Sequence, residues 1–132
     1  MRALAALLAA LAGCAAPGAE VAADPPGTAS AGLGGTAWLG ELTVRPIALV
    51  EDSRCPRDAE CVWAGRVRIL AIVSTLPGQT ELVLGQPRAM PGGPSLVLVA
   101  VAPERRQHPP AGTNPRAPYR FTFALMQPDL RE

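Results

Sequence analysis

The sequence predicts an all-β domain, a small antiparallel β-sandwich or barrel of five to six short strands, behind a cleaved N-terminal signal and a flexible tether. Three observations carry this. After residue 36 the apolar residues alternate with polar ones or gather in short runs, which is the strand pattern. After residue 40 a Pro, Gly or Arg interrupts every apolar run. No amphipathic helical stripe emerges anywhere in the domain.

The elements follow in order. Residues 36–44 alternate weakly, and Pro46 then shifts the phase: Leu42 and Val44 lie on one parity, Ile47 and Leu49 on the other. A proline at such a shift predicts a bulge or an edge strand. Arg66-Val67-Arg68-Ile69 alternates cleanly, and residues 70–73 are apolar on both faces, as in a strand entering a core. The turn signal Leu76-Pro77-Gly78-Gln79 makes residues 65–74 and 80–84 a hairpin. Residues 87–94 form a loop rich in Pro and Gly, and residues 95–102 an apolar strand. Residues 103–118 hold five prolines and are too long for an ordinary connection. Tyr119, Phe121, Phe123 and Leu125 then share one face, opposite Arg120 and Thr122. There is no internal repeat.

The start of the chain reads as an address. Arg2 precedes an unbroken Ala/Leu stretch that ends in Leu11-Ala12-Gly13-Cys14, the layout of a secretory signal over residues 1–13. The apolar stretch is well short of the ~20 residues a spanning helix needs. Leu-Ala-Gly-Cys resembles a bacterial lipobox. That resemblance implies cleavage before Cys14 and acylation of Cys14, so that the partner at this end is a membrane. Each buried CH₂ contributes about 0.8 kcal/mol, so several acyl chains hold a protein effectively permanently. Ala15 after the cysteine resembles the outer-membrane sorting pattern of Gram-negative lipoproteins, which implies a periplasm-facing outer-membrane location. The alternative is ordinary cleavage near Ala15-Ala16 and release. Residues 14–35 are then a solvated tether, being mostly Ala, Gly, Pro, Ser and Thr, and the β-domain is residues 36–132.

The 12 cationic side chains, all Arg, face 11 acids. Loss of Arg2 with the leader brings the two into balance. A neutral domain without a basic patch is not expected to bind nucleic acid, which needs clustered cations to displace counterions. Two Trp, one Tyr and two Phe are the only aromatics, so the core is expected to be mainly Val, Leu and Ile. A core that small gains from a covalent staple.

The remaining cysteines, Cys55 and Cys61, supply it. An exported chain meets an oxidising compartment, and with Cys14 acylated the two others pair. Redox activity is not expected of them: a thiol pair of that kind prefers Cys-x-x-Cys at a helix N-terminus. Metal binding would require further soft ligands, and only His108 and scattered methionines are on offer.

The run Asp52-Ser53-Arg54-Cys55-Pro56, four further residues and Cys61-Val62-Trp63-Ala64-Gly65 resembles the signature of a family of small exported bacterial proteins, many with lipoprotein leaders. The resemblance is specific over residues 50–65. It implies an all-β domain around a short disulfide loop, and it implies no activity.

Catalytic constellations are not expected. His108 sits in Arg105-Arg106-Gln107-His108-Pro109-Pro110, and none of Ser53, Ser74 or Ser95 lies in a nucleophile motif. Glu51, Asp52, Asp58 and Glu60 surround the staple but are interleaved with Arg54 and Arg57, which favours local ion pairs over a Ca²⁺ site. Trp63 is expected to pack on the disulfide and seal the sheet edge, with an exposed anchor for a partner as the alternative. The candidate binding surface is Asp52, Arg54, Arg57 and Trp63. The expectation is a lipid-anchored envelope protein that acts by binding or structural association, needs no cofactor and meets another envelope protein. The rival is a small envelope enzyme, a hydrolase or thiol oxidoreductase.

Overall fold

In the computed structural model, alternating segments become strands wherever a partner strand covers their edge. The structure describes Gly13, residues 24–113 and residues 118–127. Cys14 and its expected acylation, with most of the leader and the tether up to residue 23, lie outside the described residues. In chain order the strands are β1 (Thr28–Ala31), β2 (Ala37–Leu39), β3 (Leu42–Asp52), β4 (Val67–Val73), β5 (Gln79–Val83), β6 (Ser95–Ala102) and β7 (Arg120–Met126). They make two antiparallel sheets, β1-β7-β6 and β2-β3-β4-β5.

The all-β class therefore stands, and the inward residues of both sheets meet in one core, as in a sandwich. From one sheet come Leu96, Leu98, Val101, Phe121 and Phe123; from the other come Val44, Val67, Ile69, Val73 and Leu82. The aliphatic residues outnumber the two phenylalanines there, as composition requires. Full burial of a side chain of this size contributes about 1.5–3 kcal/mol, so Phe121 and Phe123 anchor the three-stranded sheet.

The strand count is seven among the described residues, above the five to six expected. One addition is a hairpin: Gly40, at φ 65°, opens a two-residue turn that splits the weakly alternating segment into β2 and β3. The other is β1, which corrects the tether boundary. Residues 28–31 fall inside the stretch read as tether, yet Thr28 to Ala31 pair with Ala124 to Phe121 of β7. Side chains of low hydropathy suffice there, because edge pairing and polar contacts do the work. Ser30 Oγ lies 2.8 Å from Thr122 Oγ1 and donates to Asp24 Oδ1 at 2.6 Å. The folded domain thus begins by Asp24 rather than at residue 36.

Pro46 does not end its strand. The register of β3 on β4 shifts between Pro46 and Ala48 and again between Leu49 and Glu51, the bulging that the phase change predicts. Because β2 covers only Leu42 to Val44, β3 is an edge on that side from Pro46 onward, where a missing N–H is tolerated. The hairpin of β4 and β5 and the strand β6 form where expected.

Two poles result. At one lie the C-terminal ends of β3 and β6 and the N-terminal ends of β4 and β7. At the other lie the start of β1, the turn between β2 and β3, and the end of β7. The disulfide loop occupies the first pole and β1 starts at the second, while Asp24 ahead of β1 lies beside Ser30 and 3.5 Å from Arg120.

Candidate functional site

The site is built on the connection from β3 to β4, residues 53–66. Its neck is closed by two bonds across the strand ends: Ser53 N donates to Arg66 O at 2.9 Å, and Arg66 N to Ser53 Oγ at 3.0 Å. Within it Cys55 and Cys61 are disulfide-bonded, with Cα atoms 5.9 Å apart, as expected. The Ser53 carbonyl accepts the indole Nε1–H of Trp63 at 3.1 Å. Gly65 lies against the Ser53 backbone: a Cβ on it would sit 2.6 Å from Arg54 Cα and closer still to the Ser53 carbonyl.

Asp52, the last residue of β3, is the electrostatic centre. Its Oδ1 accepts Arg54 Nε at 2.8 Å, and its Oδ2 accepts Arg54 Nη2 at 2.9 Å and Tyr119 Oη at 2.7 Å. The guanidinium also donates to the carbonyls of Val101 (Nη1, 3.0 Å) and Pro103 (Nη2, 3.0 Å) at the end of β6. The network therefore ties the four-stranded sheet to both β6 and β7 of the other sheet. The Arg54 fork beside it, and secondarily the Tyr119 hydroxyl, hold the Asp52 carboxyl down at about 2. Tyr119 is pushed up, first by burial and then by donating to that carboxylate.

A second set of contacts docks the loop onto residues 103–108. Arg57 N donates to Arg105 O at 2.8 Å, and Arg105 Nη1 to Asp52 O at 2.9 Å. Asp58 accepts the backbone N–H groups of Gln107 (2.7 Å) and His108 (2.8 Å), which hold its pKa below the ordinary carboxylate value. The Arg57 and Glu104 side chains form an ion pair. The first part of the long connection, residues 103–108, is therefore a strap over the disulfide loop.

These positions redistribute the expected site residues. Asp52 and Arg54 are internal, with side chains 7 % and 16 % exposed, and they form the floor of the site rather than a displayed surface. Arg57 is exposed. Trp63 is the clearest correction: it is 57 % exposed and does not seal the sheet edge, while Val62 beside it is fully exposed. The reason is steric, since Arg54, Asp52 and Tyr119 already fill the gap between the sheets there. The indole instead walls an open cleft of about 540 Å³ with Cys61, Glu60, Arg105 and Gln107.

Two of the acids around the staple make local ion pairs with arginines, Glu51 with Arg66 and Arg68 and Asp52 with Arg54, whereas Asp58 takes backbone N–H groups and Arg57 pairs with Glu104. Among the described residues no three His, Cys, Asp or Glu side chains converge as a metal site requires. The His108 ring is exposed, its Nδ1 3.7 Å from Asp58 Oδ2. Sequence reasoning missed Tyr119 and Arg105. The signal for Tyr119 was its place on the Phe121 face, next to which its ring stacks at 5.8 Å.

Because so many bonds hold the loop besides the disulfide, the staple is expected to be supportive rather than essential. Replacing Cys55 and Cys61 together by Ser should cost about 2–2.5 kcal/mol, the chain-entropy value for a closed loop of this length. Urea titration of oxidised wild type and the double variant measures it. A variant that no longer folds would show that the polar strap cannot hold the loop alone. Comparison with family models, with curated proteins and with solved structures finds no match for this chain.

Proposed function

We propose that the protein is a lipid-anchored module of the bacterial envelope, held through Cys14 in the outer membrane and facing the periplasm, that binds another envelope protein with its disulfide-loop pole. The anchor is supported by the leader and the Leu11-Ala12-Gly13-Cys14 run. The binding role rests above all on the presentation of Trp63. Its N–H is already satisfied by Ser53 O, so a partner covering the ring desolvates apolar surface without stranding a donor. The loop is fixed by the disulfide, the Asp52–Arg54 pair and the strap, which lowers the ordering cost of binding. Tryptophans of this kind dominate binding energy when they fill a pocket on a partner. β1 starts at the opposite pole, which leaves room for an anchored domain to display Trp63 away from the membrane.

The test is a photo-crosslinking amino acid at the fully exposed position 62 in cells. A discrete adduct that disappears in the Trp63→Ala variant is expected. Absence of any adduct, or one indifferent to Trp63, would remove the interaction from this pole. Trp63→Ala is expected to leave thermal stability within about 1 kcal/mol of wild type, as for most exposed positions.

A further inference from the structure

The pole where β1 starts is chemically unlike the disulfide pole. Trp38, on the edge strand β2, is 66 % exposed. It borders a groove with Gly27, Thr28, Leu39 and Leu125, and a second groove of about 250 Å³ adjoins it, sharing Leu39 and Leu125 and adding Leu42 and Met90. No charged side chain lines either groove, whereas Asp52, Arg54, Glu60 and Arg105 line the cleft at the other pole. Met126, which ends β7 here, is also exposed. The nearest charge along the chain is Glu41, at the tip of the hairpin turn.

Position in the chain says what meets this surface. Gly27 and Thr28 are themselves part of its wall. Only ten residues separate Cys14 from Asp24, and a chain that long spans at most about 35 Å even fully extended. Asp24 is held beside β1 by Ser30, with its carboxylate 3.5 Å from Arg120, and the chain turns from it through Gly27 into the groove wall. An acylated Cys14 therefore brings the bilayer within reach of the apolar pole.

We propose that this pole is a lipid-contact face: Trp38, Leu42, Met90, Leu125 and Met126 rest on the phospholipid surface that holds the acyl chains of Cys14, and so orient the domain with Trp63 outward. Trp is suited to the headgroup level, where an apolar ring and a polar N–H are both accommodated. An uncharged face predicts contact with zwitterionic lipid that salt does not weaken, unlike a basic patch. The inference rests on the lipid anchor proposed above.

The experiment uses the full lipidated protein in phosphatidylcholine vesicles carrying brominated acyl chains. Trp63→Phe leaves Trp38 as the reporter, and Trp38→Phe leaves Trp63; both positions are exposed, so both variants are expected to fold. Most of the Trp38 emission should be lost, at low and high salt alike, while Trp63 emission is unchanged. Equal quenching of the two, or quenching of neither, overturns the orientation. Cross-linking between copies of a Trp38→Cys variant in the vesicles, together with unquenched Trp38 in the Trp63→Phe protein, gives the face to a second copy and also overturns it. Intact mass separates the two levels of the argument. Mature protein without lipid on Cys14 sinks the anchor and this face together, whereas acylated protein with unquenched Trp38 sinks only the face.

Discussion

Replacing Arg54 by Ala is expected to lower stability by about 3–5 kcal/mol, the cost of removing one partner from a buried ion pair. Asp52 would keep the Tyr119 hydroxyl but lose both guanidinium bonds, and the carbonyls of Val101 and Pro103 would lose their donor. The sheets would then be joined at this pole by a carboxylate in a site built for a pair. Urea titration at neutral pH gives the magnitude, and acid titration identifies the cause. In the wild type the folded Asp52 carboxyl titrates at about 2 against an ordinary value of 3.8. The unfolded chain therefore takes up the proton first as pH falls. The stabilisation is complete above roughly pH 5 and disappears between about pH 4 and 2, an amount near 2 kcal/mol. Arg54→Ala should flatten that acid limb, because the fork is the largest influence lowering Asp52. A variant with the wild-type midpoint and the wild-type acid limb would show that the pair contributes nothing to joining the sheets.

What was legible in the sequence was whatever depends on side-chain period and covalent chemistry. The alternation of Phe121 and Phe123 with Arg120 and Thr122 announces β7, because a half-buried strand must alternate. Cys55 and Cys61, the two cysteines outside the leader, announce their own bond. What was not legible depends on partners distant in sequence. β1 has almost no apolar signal, since its stability comes from pairing with β7 and from Ser30 meeting Thr122 and Asp24. Asp52, Arg54, Arg57 and Trp63 read as one surface in the sequence because they are neighbours in the motif. The fold separates them: Arg54 turns inward to carbonyls 47 and 49 residues away, and Trp63 turns out. The motif is therefore two things at once, a clamp for the sandwich and a mount for one exposed indole.

Gly65 makes that distinction testable. Substitution by Ala is expected to cost about 3 kcal/mol or more, beyond the usual range for adding one methyl group to a packed site. The obstacle is backbone, not side chain: the new Cβ would collide with the Ser53 carbonyl and approach Arg54 Cα to 2.6 Å. Neither can rotate aside. Ser53 is held by its bonds to Arg66, and its carbonyl is the acceptor of the Trp63 N–H. The strain must therefore open the neck of the loop. Gly93→Ala serves as the control, since a Cβ there meets nothing within 4 Å and its expected effect is within about 0.5 kcal/mol. Opening the neck releases the indole, so Trp63 emission in a Trp38→Phe background should shift red and become easier to quench in Gly65→Ala alone. Equal stability of the two glycine variants would mean that residues 53 and 65 separate at little cost. The rigid presentation of Trp63, on which the binding role depends, would then be lost with it.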